Sequence, residues 1–338
     1  MITIKDIAKY FDVSVGTVSK ALNNQKGVSD KLREKIKNYA DENNYMPNLT
    51  AISLVKKETN KIALFILSKE DNKEDSRFSI LWVELLKVLL EESYKINHNL
   101  IVYNLYYGDN SKNYIELCKI ESVKGAIFFG IMNNDPQIDQ LKKNNEIPLV
   151  LFDNNFGGRL NSVKTDNYIG MKKISEYIKG LGINKNEKIG IITGENTAQV
   201  SLEREEAIVN EFGNDRISKY KGDFTKKSGY CGAKYLIENK KIKKIICFSD
   251  AMAIGAIEYC KENNYLIPDE IKVVGFDNTI LSEMMLPKIT TVGHQLYDIS
   301  RNMIELIINK SFGENLLVAP QLYVRESYWN INTLFLNF

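Results

Sequence analysis

The chain reads as an α/β protein. An N-terminal unit of three short helices in a helix-turn-helix arrangement leads through a linker into two doubly wound parallel-sheet subdomains. Three observations predict this. Residues 1–57 hold ten Lys/Arg against six Asp/Glu, although the whole 338-residue chain carries a net charge of only +2. Residues 3–40 place their apolar side chains at helical spacing. Beyond residue 60, short β-branched runs alternate with amphipathic stretches, as parallel sheets covered on both faces require.

In order, Thr3 can cap a first helix whose inner stripe is Ile4, Ile7, Ala8 and Phe11. Asp12-Val13-Ser14 makes a turn. The run V-S-V-G-T-V-S-K-A-L-N from Val13 then becomes a second helix, with Val18 and Leu22 inward and Val15, Gly16, Lys20 and Asn23 outward. A third helix begins at Ser29-Asp30 and buries Leu32, Ile36, Tyr39 and Ala40. A short exposed helix tipped with small and polar residues and one cation suits the floor of a DNA major groove. The basic excess points the same way, towards a polyanion.

In the body, strands are predicted at 62–67, 100–106, 126–130, 148–152, 188–193, 244–249 and 271–276. Helices are predicted near 78–94, 111–121, 135–144, 167–180, 201–212, 226–239, 250–263 and 296–310. The series pauses at 153–165 and restarts at Tyr168, which separates two subdomains, and the chain crosses back near 287–295. The expected boundaries are 1–47 for the head, 48–60 for the hinge and 61–338 for the core. Within the core, 61–163 with 290–325 form one subdomain and 164–289 the other.

The composition, 44% apolar and 26% charged, is that of a soluble protein. No signal-like apolar stretch opens the chain and no run could cross a bilayer, so a cytoplasmic location with no membrane partner is expected. Cys118, Cys231, Cys247 and Cys260 show no C-x-x-C spacing and read as buried free thiols. His98 and His294 have no metal-ligand spacing. There is no G-x-G-x-x-G after a strand, no Walker loop and no Ser/His/Asp pattern, so neither cofactor nor enzyme is expected.

The run T-I-K-D-I-A…V-S-V-G-T-V-S-K-A-L-N…V-S…R-E-K-I…N-Y-M-P-N resembles the head of the LacI/GalR family of bacterial transcription repressors. The resemblance implies that Val15, Gly16 and Lys20 read base edges. It also implies that Thr3, Ser14, Thr17, Ser19 and Asn23 contact phosphates or position the helix, a division in which phosphate contacts set register and groove contacts set sequence, with Asn48 a further DNA-binding residue. Helix capping is the alternative role for the hydroxyls. Leu54 matches the family's minor-groove wedge. The resemblance makes 48–60 a hinge helix. Asp12 stands where Gly is frequent in the family, and Lys20 and Ile52 where Arg is frequent. Val15, Gly16 and Lys20 offer few side-chain hydrogen bonds to bases, so Leu54 and DNA shape are expected to carry much of the specificity.

The resemblance continues through V-K-G-A-I-F-F-G, I-P-L-V-L-F-D, G-D-F-T-K-K-S-G-Y, F-S-D-A-M-A-I-G-A and V-V-G-F-D-N to Y-V-R-E-S, the core shared with periplasmic sugar-binding proteins. Ligands of open α/β sheets bind beyond the carboxyl ends of strands, where Asp153, Asp250 and Asp277 stand. Carboxylates accept from vicinal hydroxyls and Arg204 can donate a pair of bonds. By resemblance Asp153, Arg204, Phe224, Asp250 and Asp277 are effector residues, Ser249 and His294 further wall, and Ser68 and Phe78 occupy the divergent stretch S-K-E-D-N-K-E-D-S-R-F. Two other roles remain open: Asp250 can cap the helix after it, and Arg204 can pair with Glu205 or Glu206. The implied function is a homodimeric repressor on near-palindromic double-stranded operator DNA, released by a sugar-like effector. The alternatives are a corepressor-dependent regulator taking a purine or partner protein, and a solute-binding protein.

Overall fold

The computed structural model describes residues 2–43, 45, 59–68, 80–106, 112–184 and 187–328, apart from the Ser68 side chain. Expectations for Asn48, Ile52, Leu54, Phe78, the Ser68 side chain and most of the hinge lie outside the described residues. The chain divides into two units, Met1–Thr59 and Asn60–Phe338.

The first unit is three helices: α1 (Ile4–Tyr10), α2 (Val15–Leu22) and α3 (Asp30–Glu42). Thr3 caps α1 in a reciprocal box, its hydroxyl accepting from Asp6 N at 3.3 Å while the Asp6 carboxylate takes Thr3 N at 2.8 Å. Asp12 makes the turn at φ 50°, a left-handed position that a short polar side chain tolerates. Ser14 then caps α2 by accepting from Thr17 N at 3.1 Å. Ile7, Ala8, Val18, Ala21, Ile36 and Ala40 form the core. On α2 the second fully buried position is Ala21; Leu22, expected inward, is only half-buried and packs at the margin. A small residue at 21 lets α3 approach closely, and Leu22 closes the side of that contact.

The second unit holds two sheets. The first subdomain runs β1 (Lys61–Ser68), α4 (Ile80–Lys95), β2 (Asn99–Tyr106), α5 (Tyr114–Glu121), β3 (Gly125–Phe129), α6 (Ile138–Lys143), β4 (Leu149–Phe152) and β5 (Asn161–Thr165). The second runs α7 (Asn167–Gly180), β6 (Ile189–Thr193), α8 (Gln199–Phe212), β7 (Ile217–Lys221), α9 (Lys226–Lys240), β8 (Lys244–Cys247), α10 (Asp250–Glu262), β9 (Lys272–Asp277), α11 (Ile280–Met284) and β10 (Thr290–Gly293). α12 (Leu296–Ile308) and β11 (Asn315–Val318) return to the first, and β12 (Gln321–Tyr323) to the second.

The first sheet has the order β11-β5-β4-β3-β1-β2, every pair parallel. The second has the order β12-β10-β9-β8-β6-β7, parallel except for β12 on its edge. The unbroken apolar run of β1 follows from burial on both faces. Ile62, Leu64 and Ile66 pack with Leu85 and Ile304, whereas Ala63, Phe65 and Leu67 pack with Tyr114 and Cys118.

Two expectations are corrected. β10 pairs with β9 from Thr290↔Val274 to Gly293↔Asp277, and β12 pairs with β10, so neither belongs to the first subdomain as the boundary 290–325 assumed. The chain crosses three times, after β5, after β10 and after β11. These crossings lie side by side: Asp166 N donates to Val318 O at 3.0 Å and Thr165 Oγ1 meets His294 Nδ1 at 2.5 Å. Of the cysteines, all free, Cys231 is exposed on α9 rather than buried. No helix among the described residues is long and apolar enough to cross a membrane.

Candidate functional site

On α2 the side chains of Val15 and Lys20, the Gly16 backbone and the cap residue Asn23 are exposed, with Thr17 and Ser19 half-buried. The hydroxyls are engaged locally. Thr3 Oγ1 donates to Asp6 at 2.6 Å, Ser14 Oγ lies 2.9 Å from Thr17 Oγ1, and Asn23 Nδ2 donates to Ser19 O at 2.9 Å. Thr3, Ser14 and Asn23 therefore fix the ends of α1 and α2, leaving Val15, Gly16 and Lys20 as the outward face. Arg33 of α3 went unnoticed in the sequence. Its guanidinium donates to the carbonyls of Lys20 at 3.2 Å, Gln25 at 2.9 Å and Val28 at 3.2 Å, tying down the end of α2 and the loop after it. Thirteen residues separate Arg33 from Lys20, so no helical period announces the contact.

In the second unit a cavity of about 360 Å³ opens at the carboxyl ends of both sheets. Leu67, Ile80, Leu81, Phe129, Asp153 and Asn154 reach it from the first subdomain, and Gln199, Arg204, Phe224, Ser249, Asp277 and Thr279 from the second. Four residues around it, Asp153 (φ 52°), Phe224 (φ 67°), Asp277 (φ 120°) and Asn278 (φ 54°), hold left-handed backbone that non-glycine residues rarely adopt. Such strain persists where the surroundings over-determine it and marks candidate sites. Phe224 is further fixed by Gly194, where an added Cβ would fall 1.8 Å from its ring.

Arg204 is 3% exposed and lies inward, with no pairing to Glu205 or Glu206. Its Nε donates to Asn167 Oδ1 at 2.8 Å and its Nη1 to Phe248 O at 2.5 Å. Nη1 also stands 3.9 Å from Asp277, and the guanidinium lies 3.5 Å above the Phe276 ring. Burial lowers its pKa and the Asp277 and Asp153 carboxylates resist that. Asn167 also donates to Glu203 at 2.8 Å, Gln199 donates to Glu203 at 3.1 Å, and Glu203 pairs with Lys164 of β5 across the subdomain boundary. Asn167, Glu203 and Lys164 lie in three different elements, and sequence reasoning missed all three.

Asp250 does not cap α10; Ser249 does, accepting from Met252 N at 3.2 Å. The Asp250 carboxylate points under β9, where Thr279 N (2.7 Å), Thr279 Oγ1 (3.1 Å) and Thr291 Oγ1 (2.6 Å) donate to it. Gly275 makes room, since a Cβ there would sit 2.3 Å from Asp250 Oδ1. Burial first, then the Asp277 charge, pushes the Asp250 carboxyl up to about 8; burial pushes Asp277 up to about 7 against the pull of Arg204. Asp153, whose Oδ1 accepts from Thr165 N at 2.7 Å, is likewise raised by burial.

His294 lies between Asp277 (3.3 Å from Nε2) and Asp153 (3.9 Å from Nδ1). Burial lowers its pKa to about 4, so the ring is neutral and these contacts are not ion pairs. Of the seven expected effector residues with described side chains, Asp153, Arg204, Phe224, Ser249 and Asp277 line the cavity. Asp250 and His294 stand behind that wall. The lining offers hydrogen-bond acceptors, one pinned guanidinium and aromatic faces, a set suited to holding a ligand.

Residues 3–48 match the family model described as bacterial regulatory proteins, lacI family, and residues 179–328 match a periplasmic binding protein-like domain. The chain is 28% identical to the HTH-type transcriptional regulator RegA of Clostridium saccharobutylicum, over 96% of this chain and 98% of that protein. It is 25% identical to the HTH-type transcriptional repressor PurR of Mannheimia succiniciproducens, over 97% and 98%. In fold it is similar to the lac repressor dimer bound to operator and the anti-inducer ONPF, with a TM-score of 0.80, 21% identity and coverage of 97% of this chain and 99% of that one.

Proposed function

We propose, from the premise that the chain belongs to the LacI family of bacterial regulatory proteins and is a DNA-binding transcriptional repressor, that it acts in the cytoplasm as a homodimer on a near-palindromic operator and is released by a sugar-like effector. Residues 1–47 are the DNA-reading head, 48–60 the hinge and the remainder the effector core. Val15, Gly16 and Lys20 read base edges, with Thr3, Ser14, Thr17, Ser19, Asn23 and Asn48 setting the helix on the backbone and Leu54 wedging the minor groove. A dimer sets two such helices on two half-sites, so a small change at the hinges breaks the match.

The observation that carries the effector half is the cavity itself. It is bounded by both subdomains, and its floor joins Asp153, Arg204 and Asp277 beside three adjacent crossings. A ligand that contacts both walls binds open and closed arrangements unequally, which is the condition for shifting the equilibrium between them. Carboxylate acceptors and the Phe224 face match hydroxyls and the apolar face of a sugar ring. The test is binding of the full-length protein to a short palindromic duplex and to random DNA at moderate salt, with and without sugars. Preference for the palindrome, lost on adding one sugar, supports the reading; equal binding to both duplexes refutes it.

A further inference from the structure

We infer that Glu203 is the positioning residue that ties the state of the cavity to the turning of the two subdomains. Its carboxylate clamps the crossing after β5 from both ends and, through Asn167, sets where Arg204 stands. This rests on the effector reading above and deepens it.

The crossing after β5 is short. Lys164 is the last residue but one of β5, Asp166 caps α7 and Asn167 opens it. Glu203 on α8 accepts a hydrogen bond from each side of that turn. Lys164 Nζ donates to its Oε1 from the first subdomain, and Asn167 Nδ2 to its Oε2 at 2.8 Å from the second. Gln199, one turn earlier on α8, donates to Oε1 at 3.1 Å. The Lys164 and Glu203 side chains are only 11% and 14% exposed, so water and salt screen the pair far less than a surface one. Turning one subdomain on the other changes the backbone angles at Thr165 and Asp166. A carboxylate bonded to both Lys164 and Asn167 resists that change.

Asn167 passes this geometry to the cavity. Its Oδ1 accepts from Arg204 Nε at 2.8 Å, and because Nε can only donate, the amide nitrogen has to face Glu203. Arg204 and Gln199 both line the cavity. The clamp is therefore bonded to one lining residue directly and to the other through a single side chain. A ligand that draws on Arg204 strains the bond from Asn167 to Glu203, and a turn at the crossing displaces Arg204 in its wall, as the reciprocity of any coupling requires. The site needs an ionised carboxylate, since Lys164, Gln199 and Asn167 all donate to it. Glutamine has the same size but one acceptor oxygen, so whichever way its amide turns, an NH2 group faces either Lys164 or Asn167.

The experiment compares the full-length protein with E203Q and with K164M/E203Q. Hydrogen exchange read by mass spectrometry reports on the crossing. Peptides over residues 160–170 should exchange roughly tenfold faster in E203Q, with those over β8 and the head unchanged. NMR of the arginine Nε–H groups reports on Arg204, whose signal is the one lost in R204M. Its exchange with water should quicken in E203Q and return towards the wild-type rate in K164M/E203Q, where the glutamine oxygen is free to face Asn167, while the crossing stays fast. E203Q should also change the ratio of palindromic to random duplex binding by about fivefold or more. Unchanged exchange at 160–170, or faster exchange spread evenly over the core, overturns the clamp. An Arg204 signal that the double variant fails to restore overturns the link through Asn167, and an unchanged duplex ratio beside a loosened crossing removes Glu203 from the switch. A wild type that binds both duplexes alike defeats the repressor reading instead, and the exchange and NMR results then decide the clamp by themselves.

Discussion

Replacing Arg204 by methionine removes the only cation in direct contact with Asp277 among the described residues, together with the bonds to Asn167 and Phe248 and the stack on Phe276. Methionine restores part of the apolar packing but leaves the carboxylates of a fully buried cluster without their counter-charge. Breaking one side of a buried pair costs about 3–5 kcal/mol. For a unit of this size that lowers the melting temperature by roughly 6–12 °C. The loss should depend on pH. Asp277 is already raised to about 7; without the guanidinium it rises further and can neutralise itself, so the penalty is smaller at pH 6 than at pH 8. Urea unfolding of R204M, D277N and the double variant, followed by circular dichroism, measures the coupling. The double variant should recover at least about 1 kcal/mol relative to the sum of the singles. A loss under about 1 kcal/mol for R204M, or strict additivity in the cycle, refutes this description of the floor.

Stability should fall between pH 6.5 and 8. The folded carboxyls of Asp250 and Asp277 titrate near 8 and 7, well above the 3.8 of an unperturbed Asp, so the folded state holds protons that the unfolded state has released and loses stability as pH rises through those values. His294, lowered to about 4 from 6.5, acts in the opposite sense between those two values, which leaves the carboxylate effect alone above 6.5. The decline is about 2 kcal/mol across that window, and D250N should flatten it in pH-dependent urea titrations. Gly275→Ala should cost about 1–3 kcal/mol by driving a Cβ against Asp250, read in the same assay, and an unchanged midpoint would sink that packing argument. Arg33→Ala should destabilise the head by about 1–3 kcal/mol through three abandoned carbonyls and weaken specific DNA binding. Unaltered DNA affinity would mean that the loop holds α2 without it.

Periodicity made the head and most βα units readable, because one face of each helix and both faces of each central strand are committed to the core. β5 escaped. Its residues N-S-V-K-T look like a loop, yet all five are buried, with Asn161 Nδ2 donating to Ser311 O, Ser162 Oγ to Asn154 O and Lys164 paired with Glu203. Polar strands of this kind are paid for by partners far along the chain. β7, I-S-K-Y-K, is an edge strand, and its alternation of apolar and charged residues lacks the apolar run that flagged its neighbours.

The same distance effect divides the cavity. Strand-end position located Asp153 and Asp277, and the structure brings Arg204 to them. The partners of Asp250 are Thr279 and Thr291, 29 and 41 residues on, so its turn away from α10 and under β9 had no local signal. Asn154, one residue past Asp153, also lines the cavity, and its bond to Ile131 O, 23 residues back, had no local signal either.

The most direct test of the central claim, a DNA reader governed by a ligand cavity, is selection of bound duplexes from a randomised library by the full-length protein, repeated with a neutral sugar that raises its melting temperature. The predicted result is enrichment of a near-palindrome with two half-sites, abolished or strongly weakened by the sugar and insensitive to it in R204M. Enrichment of no common sequence, or a palindrome bound equally with and without every sugar that binds the protein, would contradict it.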